Sequence, residues 1–153
     1  MPRLKRERTE TSKRRYFRTA VIQQAEQFQE FINESRFDKL KELLPADFKM
    51  LILPEMMMIE GREKVVQFWK DEKNRGLRSL KFELEKINFE AEEVLKKEGA
   101  GYLRFDTAAI VFGVMTRFKE DKSRRLAGVR ANFCLMSRHR DDCNWGMVSL
   151  TLG

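Results

Sequence analysis

Apolar residues recur at three- and four-residue steps in the early part of the chain and at every second residue in the later part. Phe17, Ala20, Val21, Phe28, Phe31 and Ile32 form one stripe, with Gln23, Glu26, Gln27 and Glu30 mostly off it. This is the period of a helix with a single buried face. Ser35, with Asp38 three residues on, has the spacing of an N-cap for a second, short helix. Phe37, Leu40 and Leu44 then face inward, and Pro45 stops the run. "DFKMLIL" predicts a strand ending at Pro54, and "MMMI" is a second short apolar run. As a strand, "MMMI" sets Met57 opposite to Met56 and Met58, and it reads either as core on one side and a covered edge on the other, or as an adaptable pocket rim or partner surface. Gly61 opens a third helix with Val65, Val66 and Trp69 on its buried side, and Asn74-Arg75-Gly76 closes it.

Beyond residue 78 the period becomes two. In "LKFELEKINFE", Phe82 and Leu84 share one parity while Ile87 and Phe89 take the other. One extra residue near Glu85-Lys86 puts all four on one face, so the pattern predicts a β-bulge there. "GYLRF", "AAIVFGVMTRF", "GVRANFCLM" and "WGMVSLTL" follow, most of them parted by charged turns. Residues 102–118 fit either one long strand or two. Three helices, the third between two short strands, followed by antiparallel strands, make an α+β pattern.

Charge changes this picture in one place. The chain of 153 residues carries a net charge of +7, and its first 18 residues hold eight Lys/Arg against two Glu. The folded body is therefore almost neutral. The pattern predicts a basic flexible arm over residues 1–10 and a single domain over residues 11–153. The arm's clusters, Lys5-Arg6 and Lys13-Arg14-Arg15, fit a solvated tail, with nuclear import or nucleic-acid contact as the alternative. No aromatics interleave with them to stack bases apart from Tyr16 and Phe17, which belong to the helix. No apolar run reaches the length of a membrane span, and the basic N-terminus lacks the apolar core of a signal peptide. Cys134 and Cys143 have neither metal nor C-x-x-C spacing, which fits free thiols in a reducing compartment. The expected location is the cytoplasm, or the nucleus if the arm is an import signal.

The order helix, short helix, strand, Pro, "EGREKVVQFW", then long strands ending in a Trp-led one resembles the nuclear transport factor 2-like superfamily. Within it the chain looks most like the small SnoaL-like and ketosteroid-isomerase-like domains. The residues that carry the likeness are Gly61-Arg62-Glu63, Phe68-Trp69, Gly128 and Trp145, over about residues 12–152. The resemblance implies a cone-shaped α+β fold, cystatin-like, with a curved antiparallel sheet wrapped around N-terminal helices and enclosing a pocket. It also implies homodimers paired through the sheet. Some members are enzymes and many are binding or assembly modules, so function has to come from the site.

The isomerases of that group use a carboxylate base just before a proline that follows the first strand, aided by a tyrosine and a protonated aspartate. Here Leu53 precedes Pro54, and a leucine accepts no proton. Glu55 and Glu60 are the nearest acids, and both read as solvated loop residues. Tyr16 and Asp106 stand where the resemblance puts the tyrosine and the later acid. Tyr102, Arg104 and Asp106 share one face of a strand against Leu103 and Phe105. Turned inward, that polar row would orient a ligand. The apolar pair has the better claim to the core, which favours outward. His139 is flanked by Arg138, Arg140, Asp141 and Asp142, a poor setting for the single histidine of a nucleophilic or metal site. No phosphate-binding glycine motif occurs. The sequence therefore leans to a non-catalytic binding or assembly domain needing no cofactor or metal. Its pocket, for an apolar small molecule or a partner segment, would be lined by Trp69, Tyr102, Asp106 and Trp145. The alternatives are an isomerase-like enzyme working by proton transfer on a hydrophobic substrate, and a nuclear adaptor using the arm.

Overall fold

The computed structural model describes the backbone of residues 2–93, 105–139 and 145–153, and side chains over 18–89, 108–138 and 146–153. Helix α1 (Pro2–Asn33) is followed by α2 (Phe37–Leu43), β1 (Lys49–Ile52), β2 (Met57–Glu60) and α3 (Arg62–Asn74). Four longer strands complete the chain: β3 (Leu77–Glu93), β4 (Phe105–Glu120), β5 (Leu126–His139) and β6 (Trp145–Leu152). They form one open sheet in the order β2-β1-β6-β5-β4-β3. All neighbours are antiparallel except β1 and β6, which run parallel. The helices cover one face, giving the α+β arrangement that the pattern predicts and the cone that the resemblance implies.

α1 begins at Pro2, earlier than Thr11, where the apolar pattern starts it. Residues 3–10 are mostly Arg, Lys, Glu and Leu, good helix formers with no apolar stripe to betray them, and proline is tolerated in a first turn. The buried face from Val21 through Phe28 to Ile32 is the predicted one. The other end of α1 corrects an expectation. Ser35 does not cap α2. It sits in the left-handed region at φ 55 and terminates α1, with Ser35 N–H donating to Ile32 O and Arg36 N–H to Phe31 O. That pair of bonds is a Schellman motif, and α2 starts after Arg36 with no side-chain cap.

The bulge falls where the parity change predicts it. β3 shifts register against β4 between Leu84 and Lys86. Phe82, Leu84, Ile87 and Phe89 consequently lie opposite Met115, Gly113, Val111 and Ala109, all on the side where Met115, Val111 and Ala109 are buried. Gly113 makes the bend possible: a Cβ there would overlap the Glu83 carbonyl and press on the Phe133 ring. Further register shifts between Leu77 and Ser79 and between Met136 and Ser137 add curvature. Residues 105–120 form a single strand, which settles that part of the 102–118 question.

"MMMI" departs from expectation. β2 is a four-residue strand at the sheet's edge, and Met56, Met57 and Met58 are 68%, 45% and 49% exposed. Only Ile59 packs against the core. Among the described residues the core side of β2 is Ile59 alone, and the methionines stay exposed on this outermost strand.

β3 is the opposite edge, and α1 closes part of it. Asn33 Nδ2 donates to Leu80 O at 2.9 Å, and Leu80 N–H donates to Asn33 Oδ1 at 2.6 Å. One turn earlier, Gln29 Oε1 accepts from Phe82 N–H at 2.7 Å. The i, i+4 spacing of Gln29 and Asn33 matches the i, i+2 spacing of the strand's outward-pointing backbone groups. The Lys73 ammonium of α3 then donates to the last carbonyls here, Asn33 O at 3.0 Å and Arg78 O at 3.3 Å. Burial and the neighbouring Arg78 charge hold the Lys73 pKa below the ordinary lysine value.

Candidate functional site

The concave side of the sheet faces α1 and α3. Met115 of β4, Phe133 and Leu135 of β5, and Met147 and Leu150 of β6 are buried there. An aromatic cluster links these layers. Phe28 meets Trp69 edge to face at 6.0 Å and 87°, meets Phe82 at 5.8 Å, and Phe82 meets Phe133 at 4.8 Å. Full burial of such side chains contributes about 2–3 kcal/mol each, so these contacts hold the sheet around the helices.

Polar atoms interrupt this apolar interior. Trp69 Nε1 and Ser137 Oγ are buried and have no hydrogen-bond partner. Ser137 is fully inaccessible and stands in register between Ala109 and Met147, both buried. A buried donor without a partner costs about 1–3 kcal/mol, so each is a ready handle for a bound group or a water. The sequence carries a signal for Ser137: it takes the buried parity after Phe133 and Leu135.

The predicted pocket residues are distributed as follows. Trp69 is in the cone, fully buried, and also touches Phe68 edge to face at 5.1 Å. Tyr102 lies outside the described residues. Asp106 is on β4 opposite Glu92, and Trp145 opens β6 opposite His139, the last residue of β5. The backbone of Tyr16 is part of α1. The side chains of Tyr16, Asp106, His139 and Trp145 lie outside the described residues. Leu53 precedes Pro54 at the end of β1, and Glu55 and Glu60 are both exposed.

One acid on the concave side was not anticipated. Glu72, 6% exposed, pairs with the Lys119 ammonium of β4 at 2.6 Å. Glu72 extends the stripe of Val65 and Trp69 by one more helical step, and its carboxylate locks α3 to the sheet. The groove beside this pair, about 440 Å³ and lined by Lys73–Arg78 and Glu120–Lys122, includes neither partner. Its acids are engaged internally: Arg78 pairs with Glu120, and Asp121 accepts from Ser123 and Arg125. Among the described residues no cluster of His, Cys, Asp and Glu could hold a metal ion, and no helix is long and apolar enough to cross a membrane.

No protein-family model matches the chain, and no curated protein is significantly similar to it. Solved structures are similar in shape. A ketosteroid isomerase-like protein from Erwinia carotovora atroseptica superposes with a TM-score of 0.57 at 11% identity, over 88% of this chain and 92% of its own. A protein from Xanthomonas campestris assigned as a calcium/calmodulin-dependent protein kinase II association domain gives 0.61 at 15%, over 86% and 83%. A nuclear transport factor 2-like protein with a cystatin-like fold from Novosphingobium aromaticivorans gives 0.61 at 14%, over 93% and 85%. At such identities the likeness carries architecture alone, and with the open curved sheet and its helical cover it establishes that this chain has the nuclear transport factor 2-like fold.

Proposed function

We propose that this chain is a non-catalytic binding or assembly domain, a homodimer paired through the outer face of its sheet, with the cone interior as a pocket for an apolar small molecule or a partner segment. The outer face is the observation that carries the reading. Ile110, Phe112 and Val114 on β4 alternate with the buried row and stay partly exposed, Phe112 by 38%. Cys134 and Met136 on β5 stand in register beside Phe112 and Ile110. Together they form an apolar strip in the middle of a long sheet, the kind of surface that a second copy covers. The Xanthomonas relative assigned as an association domain fits an assembly role for this fold.

The leaning against catalysis rests on the interior. Leucine stands where the isomerases carry their base, Glu55 and Glu60 face solvent, and Glu72 is tied to Lys119. Trp69 Nε1 and Ser137 Oγ are hydrogen-bonding handles that do not ionise near neutral pH. They suit a ligand held by shape and one or two polar contacts.

Phe112→Glu tests the pairing. Sedimentation should show a dimer in the wild type and a monomer in the variant, with unchanged circular dichroism. Cys134 supplies a second readout, since it stands in the same strip beside Phe112 and a second copy would cover it. Its alkylation, followed by mass spectrometry, should accelerate in the variant. A wild type that sediments as a monomer ends the proposal.

A further inference from the structure

We propose that the first half of β5, Leu126–Ala131, is a strand-addition site that accepts an extended acidic polypeptide segment. β5 pairs with β4 along its whole length, from Leu126 to His139. On its other side β6 pairs only from Phe133 onward, and the last bond runs from Gly153 N–H to Asn132 O. In an antiparallel strand the N–H and C=O of one residue point to the same side, and that side alternates along the strand. Since Asn132 points toward β6, so do Arg130, Gly128 and Leu126. Among the described residues, nothing pairs with this stretch. It spans six residues, about 20 Å, the length of an ordinary strand.

The setting is shaped for one more strand. An added segment would continue the line of β6 beyond Gly153. Across that line β1 ends at Ile52, paired with Leu152, and Leu53 N–H still bonds Leu152 O at 2.7 Å. On β5 itself Leu126 is 60% and Val129 44% exposed, on opposite faces by parity. A segment with alternating apolar residues would cover one of them and extend the sheet.

Charge selects the occupant. Residues 122–132 contain Lys122, Arg124, Arg125 and Arg130 and no Asp or Glu. The nearest acids are Asp121, whose carboxylate is filled by Ser123 and Arg125, and Glu120, which stands opposite Leu126 and pairs with Arg78. A second copy pairing antiparallel about Gly128 would bring two such basic stretches together, which like-charge repulsion opposes. The same positive charge that guards the edge against self-association draws in a segment carrying glutamate or aspartate. The site is separate from the outer sheet face, so Phe112→Glu should leave it intact.

The test uses the full chain and a fluorescent peptide about ten residues long that alternates Val and Glu. Anisotropy should show saturable binding, and the peptide should slow exchange of the Leu126, Gly128 and Arg130 amides. A lysine-for-glutamate peptide and a backbone N-methylated peptide should not bind. Arg130→Ala and Arg130→Pro both remove the charge, but only proline removes the edge donor, and it does so on the side away from β4. Proline should weaken binding about ten-fold more than alanine does. Equal affinity of the two variants, or binding of the N-methylated peptide, reduces the site to simple charge and overturns the proposal. So does competition by single-stranded RNA at equal potency, or a wild-type dimer that falls apart in Arg130→Pro. Failure of the acidic peptide to bind at all overturns it as well.

Discussion

The two long strands that offer a free edge, β3 and the first half of β5, face opposite fates. The edge of β3 at Leu80 and Phe82 is closed by side chains of the chain's own first helix. Among the described residues the edge of β5 from Leu126 to Ala131 is unpaired, with arginines beside it. The difference shows two solutions to one problem. Unpaired backbone groups can be satisfied in place, or left to water and guarded by charge. The first solution stabilises the fold. The second stores a binding opportunity.

The largest effect should come from opening the closed edge. Gln29→Ala with Asn33→Ala removes the partners of Leu80 N–H, Leu80 O and Phe82 N–H. Those groups are partly buried, so water replaces the lost bonds imperfectly. A loss of about 2–3 kcal/mol is expected in urea unfolding, together with concentration-dependent association through the exposed β3. Intact stability in the double variant would mean that α1 packs on β3 by apolar contact alone.

A smaller loss is expected at the same end of this hairpin, where Lys119 stands opposite Leu77. Lys119→Met strips the counter-ion from buried Glu72. Because the lysine is about a third exposed, solvent screens part of the pair, and the cost should be about 2 kcal/mol. Adding Glu72→Gln should recover a measurable part of it, since no charge is then buried. If the double variant is no better than the single one, the carboxylate was solvated all along.

These contrasts explain what could be read in advance. The stripe of α1, the ends of α3 and the bulge in β3 are local patterns of period and parity, and each sits where the sequence puts it. Trp69 was recognisable as buried for the same reason. Edges were not legible. Whether Met56–Met58 is covered depends on sheet order, which places β2 outermost. The Glu72–Lys119 and Asn33–Leu80 pairings join residues 47 apart in sequence, and no periodicity encodes them. Ser35 was misplaced because one residue type serves two roles: a hydroxyl at a helix start and a left-handed stop at a helix end. Leu53 before Pro54 was legible, because a missing carboxylate is visible without coordinates.

The smallest expected effect sharpens the contrast between edges. The turn that leads into open β5 is a short hairpin loop, with Asp121 N–H bonding Arg125 O and Arg124 at φ 61. The Asp121 carboxylate accepts from the Ser123 hydroxyl at 2.7 Å and from the Ser123 and Arg125 amides, each at 2.9 Å. These bonds, the Ser123 hydroxyl foremost, hold its pKa below the usual carboxylate value. The folded form therefore binds fewer protons than the unfolded chain in that acid range. The stabilisation is complete above the ordinary carboxylate value and disappears as pH falls through the lowered one. The carboxylate is fully exposed, so the effect should stay local. Acidification should speed exchange of the Ser123 and Arg125 amides before it disturbs Leu80 or Phe82. Asp121→Asn should abolish that pH step while leaving the urea midpoint near its wild-type value. A step that survives the substitution would assign the titration to another acid, and β5 would then enter its open edge from a turn that Asp121 does not control.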